Sequence, residues 1–181
     1  MNRTATRELK APVTSQDHVR GSSLAAVTLV GYGDFTCEDC AKSYRAVKMI
    51  QAKMGTRLRY VFRSFSGTSL DRRSEGAAEA AECAGAQGKF WEIHDRMFEN
   101  QGSANQRRLV EHARSIGLDA DQFKRDMRGH VHLARVRVVR EGGVSSGVAE
   151  VPTFFINSLH HESAFGLATL LPAVQAAAGG E

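Results

Sequence analysis

The sequence predicts an α/β protein: a mixed sheet with helices on both faces, interrupted by an all-helical block. Three observations carry this. The apolar run Val27-Thr28-Leu29-Val30 is followed by a helix-like stretch from Ala41 to Met54, and then by Arg57 to Arg63. In that last segment polar and apolar residues alternate with the period of a half-buried strand. Helical patterning then occupies residues from about 71 to 148, and the β-prone run Val151-Pro152-Thr153-Phe154-Phe155-Ile156 restores strand character. The order β-α-β, helices, β-β-α fits one layered domain. A chain of 181 residues suits one domain, or one with an insertion.

Residues 1–23 read as a polar lead-in, extended near Ala11-Pro12-Val13, with the domain proper at 24–181. Ser64 to Leu70, rich in Ser and Gly, reads as a loop. In the helical block, Ala77, Ala78, Ala81 and Ala84 share one face, and Phe90, Trp91, His94, Met97 and Phe98 share another. Gly85 and Gly88 separate the two stretches. Leu109, Val110, Ala113 and Ile116 form a further stripe, ended at Gly117. Asp119 to Met127 predicts a short helix with Phe123 and Met127 inward. Val131 to Val139 continues helical, with Gly142-Gly143 as its stop. After Ile156, Asn157-Ser158 can turn the chain into an edge strand at Leu159-His160-His161. Phe165 to Ala178 closes as a helix with Leu167, Leu170, Leu171 and Val174 inward.

Composition narrows the function classes. The apolar content of 42% and charged content of 24% are ordinary for a globular protein. Net charge is +4, but the basic residues are dispersed apart from clusters such as Arg72-Arg73 and Arg135 to Arg140. No aromatic residues interleave with a basic stripe, so nucleic acid is not an expected partner. No stretch approaches the roughly 18 apolar residues of a membrane span, so membrane insertion is not expected. The segment from Met1-Asn2-Arg3 to Gln16-Asp17 is polar and has no signal-peptide core. If Met1 is the natural start, the expected compartment is the cytoplasm, where a reactive dithiol is commoner than a structural disulfide.

Chemistry concentrates at Cys37-Glu38-Asp39-Cys40, a C-x-x-C at a strand-to-helix junction. At a helix N-terminus, unpaired N–H groups and the helix dipole favour an anion. Only the thiolate attacks disulfides, so that position arms Cys37. Cys40, about one turn on, can close a disulfide or resolve a mixed one. A zinc site is the competing reading, but it needs a second pair of ligands. Cys83 is the only other cysteine. His130 and His132, in a predicted helix, point to different faces, and His160 and His161 are adjacent, so no metal site and no cofactor are expected. Cys83 reads first as a small buried hydrophobe, with a backup thiol that pairs with another chain as the alternative. His94, Lys89 and Trp91 read as structural.

These features resemble the DsbA family of thioredoxin-fold proteins, in particular its compact bacterial branch, from about Asp17 to Val174. The markers are Asp17-His18 upstream of Gly21, Val27 to Val30, and Tyr32-Gly33-Asp34-Phe35 before Cys37. Ala86-Gln87-Gly88-Lys89-Phe90-Trp91-Glu92-Ile93-His94-Asp95 and Val151 to Asn157 complete them. The resemblance implies a thioredoxin fold with a helical subdomain inserted between Leu70 and about Val148. It implies thiol–disulfide oxidoreductase activity through Cys37 and Cys40, on protein or peptide thiols and disulfides, with glutathione or a thioredoxin-type protein as a possible electron donor. It also implies a cis peptide before Pro152, packed against the cysteines, with the Val151 backbone offered to an extended substrate. The residues alone favour a trans proline starting an edge strand.

The sequence departs from the family at three places. Glu38-Asp39 stands where relatives commonly have Pro followed by His or Tyr. Gly31 stands where they commonly carry a Glu that takes the second cysteine's proton, leaving Asp34 as the candidate proton carrier. Glu150 stands where many have Gly. Each exposed carboxylate near a thiolate costs about 1 kcal/mol, and the helix terminus returns roughly 0.3–1 kcal/mol. The two effects nearly cancel, predicting a modestly activated Cys37 and a dithiol more reducing than a typical DsbA. Two other functions stay open: a redox-inert peptide-binding module, and a glutathione-dependent isomerase or transferase on the same fold.

Overall fold

The computed structural model describes residues 7–66, 71–102 and 105–179. The first six residues of the lead-in, and residues 67–70 of the predicted Ser64–Leu70 loop, lie outside these. The centre of the molecule is β2 (Val27–Gly33), which pairs in parallel with β3 (Leu58–Ser64), the two joined by the crossover helix α1 (Glu38–Met54). On its other side β2 pairs antiparallel with β4 (Thr153–Ile156), setting Gly31 opposite Phe154 and Tyr32 opposite Thr153. β4 turns through Asn157 and Ser158, both at positive φ, into β5 (Leu159–His160). The sheet order is β1-β3-β2-β4-β5.

β1 (His18–Arg20) is the strand that the sequence hid. It lies in the segment read as lead-in and runs antiparallel to β3. Three residues are too short a run to give a strand signal; side chains from elsewhere hold it. Trp91 Nε1 donates to the Val19 carbonyl at 3.2 Å, and Arg20 pairs with Asp95 at 2.7 Å.

Both sheet faces are covered, which is why β2 reads as a continuous apolar run instead of an alternating one. Val27 and Leu29 face a large core formed with α1, with α7 (Leu167–Ala177), and with the helical block. Val30 and Tyr32 face a smaller core with Val61, Phe65, Val148 and Phe155, closed by Leu9 and Val13 of the lead-in. The block comprises α2 (Arg72–Ala86), α3 (Phe90–Glu99), α4 (Gln106–Ser115), α5 (Ala120–Gly129) and α6 (Leu133–Ser145). The alanine face of α2 is fully buried, as its spacing predicts.

Two local expectations are corrected. Gly142-Gly143 does not stop α6, which continues to Ser145. The glycines serve packing: a Cβ on Gly143 would lie 2.7 Å from the Phe65 ring and 2.9 Å from that of Tyr32. His130 and His132 do not share a helix. His130 ends α5 in the left-handed conformation and His132 caps α6.

Arg63 ties the lead-in to the sheet. Its buried guanidinium donates to Asp17 at 2.7 and 3.0 Å, to the carbonyls of Ala11 and Pro12, and to the Tyr32 hydroxyl. Burial pushes the Asp17 carboxyl up, but hydrogen bonds from Arg63 and the Thr14 amide outweigh it and hold the group below its ordinary range. The stability this contributes is therefore present above about pH 4 and is lost as pH falls through the lower folded value. Asp17→Ala strands a buried charge and is expected to cost about 3–5 kcal/mol in urea unfolding at pH 7. The gap between the two proteins should narrow as pH is lowered toward 2.

Candidate active site

β2 ends at Gly33, and the next three residues form a tight turn. Asp34 Oδ1 accepts from the Thr36 amide at 2.7 Å and from its hydroxyl at 2.8 Å. The Cys37 amide donates to the Asp34 carbonyl at 3.2 Å. This turn delivers Cys37, in extended conformation, as the N-cap of α1. A capping side chain normally supplies an oxygen to an orphan N–H; here sulfur does so, the Cys40 amide donating to Cys37 Sγ at 3.2 Å.

The two thiols sit in unlike surroundings. Cys37 is half-buried, Cys40 is 2% exposed, and both are free. The Cys37 thiol is lowered to about 7, first by a hydrogen bond from the Cys40 thiol; burial opposes this, the amides of Cys40 and Asp39 assist, and the Asp34 charge opposes. Cys40 is driven far up by its bond to Cys37 and by burial, although the Asp34 amide reaches its sulfur at 3.4 Å. Val151 comes from the other end of the chain, its carbonyl 3.8 Å from Cys37 Sγ, and the Val151–Pro152 peptide is cis. Glu150 lends its carbonyl to the Thr153 hydroxyl at 2.7 Å.

The acidic dipeptide points away. Glu38 and Asp39 side chains are 86% and 54% exposed and lie 3.5 and 2.9 Å from Lys42 Nζ. The carboxylate that raises both thiols is Asp34, while Asp39 contributes its amide. The sequence-based balance of dipeptide against helix is thus replaced by amides and a neighbouring thiol against burial and Asp34.

Gly31 has no room for a side chain. A Cβ there would stand 2.8 Å from the Phe154 ring and 3.2 Å from the Tyr60 hydroxyl. Behind Cys40 lies a cavity of about 10 Å³, bordered by Tyr44, Tyr60, Phe62, His94 and Phe154. Three nearby polar residues are not site candidates on the sequence alone. Ser74 bonds its hydroxyl to that of Thr36 at 2.9 Å, tying α2 to the active-site turn. Tyr60 and His94 belong to apolar patterns, and only the fold turns them toward Cys40. Cys83 is fully buried in α2, its thiol pushed up by burial to about 12. Among the described residues no cluster of three His, Cys, Asp or Glu could hold a metal ion.

A family model described as Thioredoxin matches residues 13–176. The chain belongs to the thioredoxin family. Its fold is the DsbA form of that family, with the helical block inserted into the thioredoxin core. A thioredoxin-like oxidoreductase from Silicibacter pomeroyi DSS-3 is 26% identical, with a TM-score of 0.79 over 93% of this chain and 95% of that one. BdbD from Bacillus subtilis (19% identical, TM-score 0.80, 90% and 92% covered) and α-DsbA1 from Wolbachia pipientis (20%, 0.80, 92% and 93%) share the fold. A Salinispora arenicola protein named Na(+)/H(+) antiporter NhaA 1 is 37% identical over 96% of this chain but only 26% of its own length. This thioredoxin-family chain thus spans about a quarter of the curated relatives it matches. Among its described residues no helix is long and apolar enough to cross a membrane.

Two measurements check this geometry. Gly31→Ala should lose about 1–3 kcal/mol of stability by overpacking against Phe154, seen as a lower urea midpoint with an unchanged slope. Glu38→Gln with Asp39→Asn should move the Cys37 thiol, titrated by thiolate absorbance, by less than about half a unit, the worth of screened surface charges. A shift of one to two units would mean that the carboxylates bear directly on the sulfur.

Proposed function

We propose that the chain is a thiol–disulfide oxidoreductase. The observation that carries this is the asymmetry of the pair: an accessible Cys37 whose thiol ionises near neutrality, backed by a buried Cys40 that does not. In the reducing direction the Cys37 thiolate attacks a substrate disulfide, forming a mixed disulfide and releasing one substrate thiolate. Cys40 then attacks Cys37 Sγ, the Cys37–substrate bond breaks, and the second substrate thiolate leaves. Two electrons pass from the dithiol to the substrate.

Val151 and Pro152 are the proposed substrate contacts. The Val151 carbonyl faces Cys37, so an extended protein or peptide segment can align its backbone there by strand addition. Glutathione or a thioredoxin-type protein is the proposed electron donor. The dithiol is proposed to be more reducing than a typical DsbA, because a Cys37 thiol near 7 matches thioredoxin's roughly 7 and not DsbA's roughly 3.5. The cytoplasm is the proposed compartment, since such a dithiol works when kept reduced. The antiport in the relatives' names is taken to belong to the three quarters of their length that this chain does not match.

Reactivity and trapping test the assignment. Iodoacetamide should label Cys37 of the reduced protein first, with a rate that rises through an inflection near pH 7. Cys40→Ser should accumulate mixed disulfides with peptide substrates, and Cys37→Ser should accumulate none and lose insulin reduction. Faster labelling of Cys40, or insulin reduction surviving in Cys37→Ser, would reverse the roles. Both cysteines unreactive in the folded protein would support the redox-inert peptide-binding reading instead.

A further inference from the structure

Resolution of a mixed disulfide requires Cys40 to lose its proton inside the protein. The thiol is buried, the cavity behind it has no carboxylate on its wall, and Asp34, whose charge reaches both thiols, is engaged by the amide and hydroxyl of Thr36. Most polar groups there are already committed. Ser43 donates its hydroxyl to the Cys40 carbonyl at 2.9 Å, and Tyr44 donates to Glu99 at 2.9 Å. Tyr60 is a phenol that burial holds protonated.

His94 differs. It is 2% exposed and packed among the rings of Phe35, Phe62, Trp91 and Phe98. Its Nδ1 lies 2.8 Å from Asp95 Oδ1. Asp95 also receives Arg20 at 2.7 Å and Lys48 at 3.3 Å, and these partners together with His94 hold it ionised despite burial. An ionised carboxylate requires the proton on Nδ1, which leaves Nε2 a bare lone pair. That atom is buried and has no hydrogen-bond partner. An orphaned acceptor of this kind is rare in a folded protein and asks for a reason. The cavity that His94 shares with Cys40, about 10 Å³, is of the size that admits one water, given polar neighbours.

We propose that His94 Nε2 accepts the Cys40 proton, relayed by one water in this cavity, as Cys40 attacks the Cys37 mixed disulfide. The Cys40 sulfur forms its bond to Cys37 Sγ, and the substrate sulfur leaves with the electron pair of the broken bond. The water takes the Cys40 proton and passes one of its own to Nε2. Asp95 faces the resulting imidazolium, and the proton returns to solvent after the substrate departs. The charged and titratable groups around the ring are Asp95 on α3, Arg20 on β1, Tyr44, Lys48 and Cys40 on α1, and Tyr60 on β3. Burial pushes the imidazole down to about 4, against the pull of Asp95, so Nε2 stays free of a proton from about pH 5 upward.

This proposal rests on the oxidoreductase reading, and one experiment separates the two. The reduced protein is mixed with dithionitrobenzoate in a stopped-flow instrument and followed at the wavelength of the released aryl thiolate. The first phase reports attack by Cys37, and the second reports resolution by Cys40. In the native protein the second phase should be independent of pH between about 5.5 and 7.5. In His94→Gln and His94→Phe it should slow by at least about tenfold at pH 6, within the range of general base catalysis, and rise tenfold per pH unit. The first phase should stay within about twofold, which a general loss of structure would not allow. A native second phase that already rises tenfold per pH unit, or a second phase unchanged in His94→Gln, would overturn the role of His94 and leave the oxidoreductase reading standing. Absence of a second phase in the native protein would overturn both.

Discussion

The amide of Cys40 pointing at the sulfur of Cys37 is the contact around which the site is organised. It exists because β2 stops at Gly33, the Asp34 turn reverses the chain, and α1 begins with a sulfur in the capping position. A serine or aspartate there would cap the helix as well or better. The cap therefore does two things at once: it completes the helix and it stabilises a thiolate. The pairing of β2 with β4 adds the second requirement. Register places Tyr32 opposite Thr153, which brings Val151, more than a hundred residues away in sequence, beside Cys37.

Distance and exposure decide which charges matter. Glu38 and Asp39 are adjacent to the cysteines in sequence but point into solvent, where Lys42 answers them and water screens them. Asp34 is three residues before Cys37, yet from the turn it caps its charge bears on both thiols. An exposed pair is worth about 0–1 kcal/mol, so the nearby amides and the partner thiol prevail. The same reasoning explains the corner at Gly31. With Phe154 filling the space a side chain would need, no carboxylate can stand at position 31, and the proposed proton acceptor for Cys40 is His94, across the same cavity.

Much of the fold was legible because its signals are local. The period-two run of β3, the alanine face of α2 and the Phe90 to Phe98 stripe of α3 each reflect burial on one side. β1 was not legible, because its three residues are ordered by Glu82, Trp91 and Asp95 from elsewhere. Gly142-Gly143 misled for the opposite reason: glycine commonly ends helices, but here its lack of a side chain admits Phe65 and Tyr32. At the site, Cys37, Cys40, Val151 and Pro152 could be named from motif and resemblance. The outward turn of the acids, the contact of Ser74 with Thr36, and the unpartnered Nε2 of His94 could not. They depend on how α1, α2 and α3 meet the end of the sheet, and no run of neighbouring residues encodes that.

The reduction potential of the Cys37–Cys40 pair, equilibrated against a glutathione buffer, bears most directly on the assignment of this site to dithiol–disulfide exchange. A thiol near 7 capping the helix predicts a single reversible two-electron couple closer to thioredoxin's roughly −270 mV than to DsbA's roughly −120 mV. A potential at the oxidising end would mean that the thiolate is stabilised far more strongly than these contacts provide. A pair that never equilibrates with the buffer would contradict the exchange chemistry altogether.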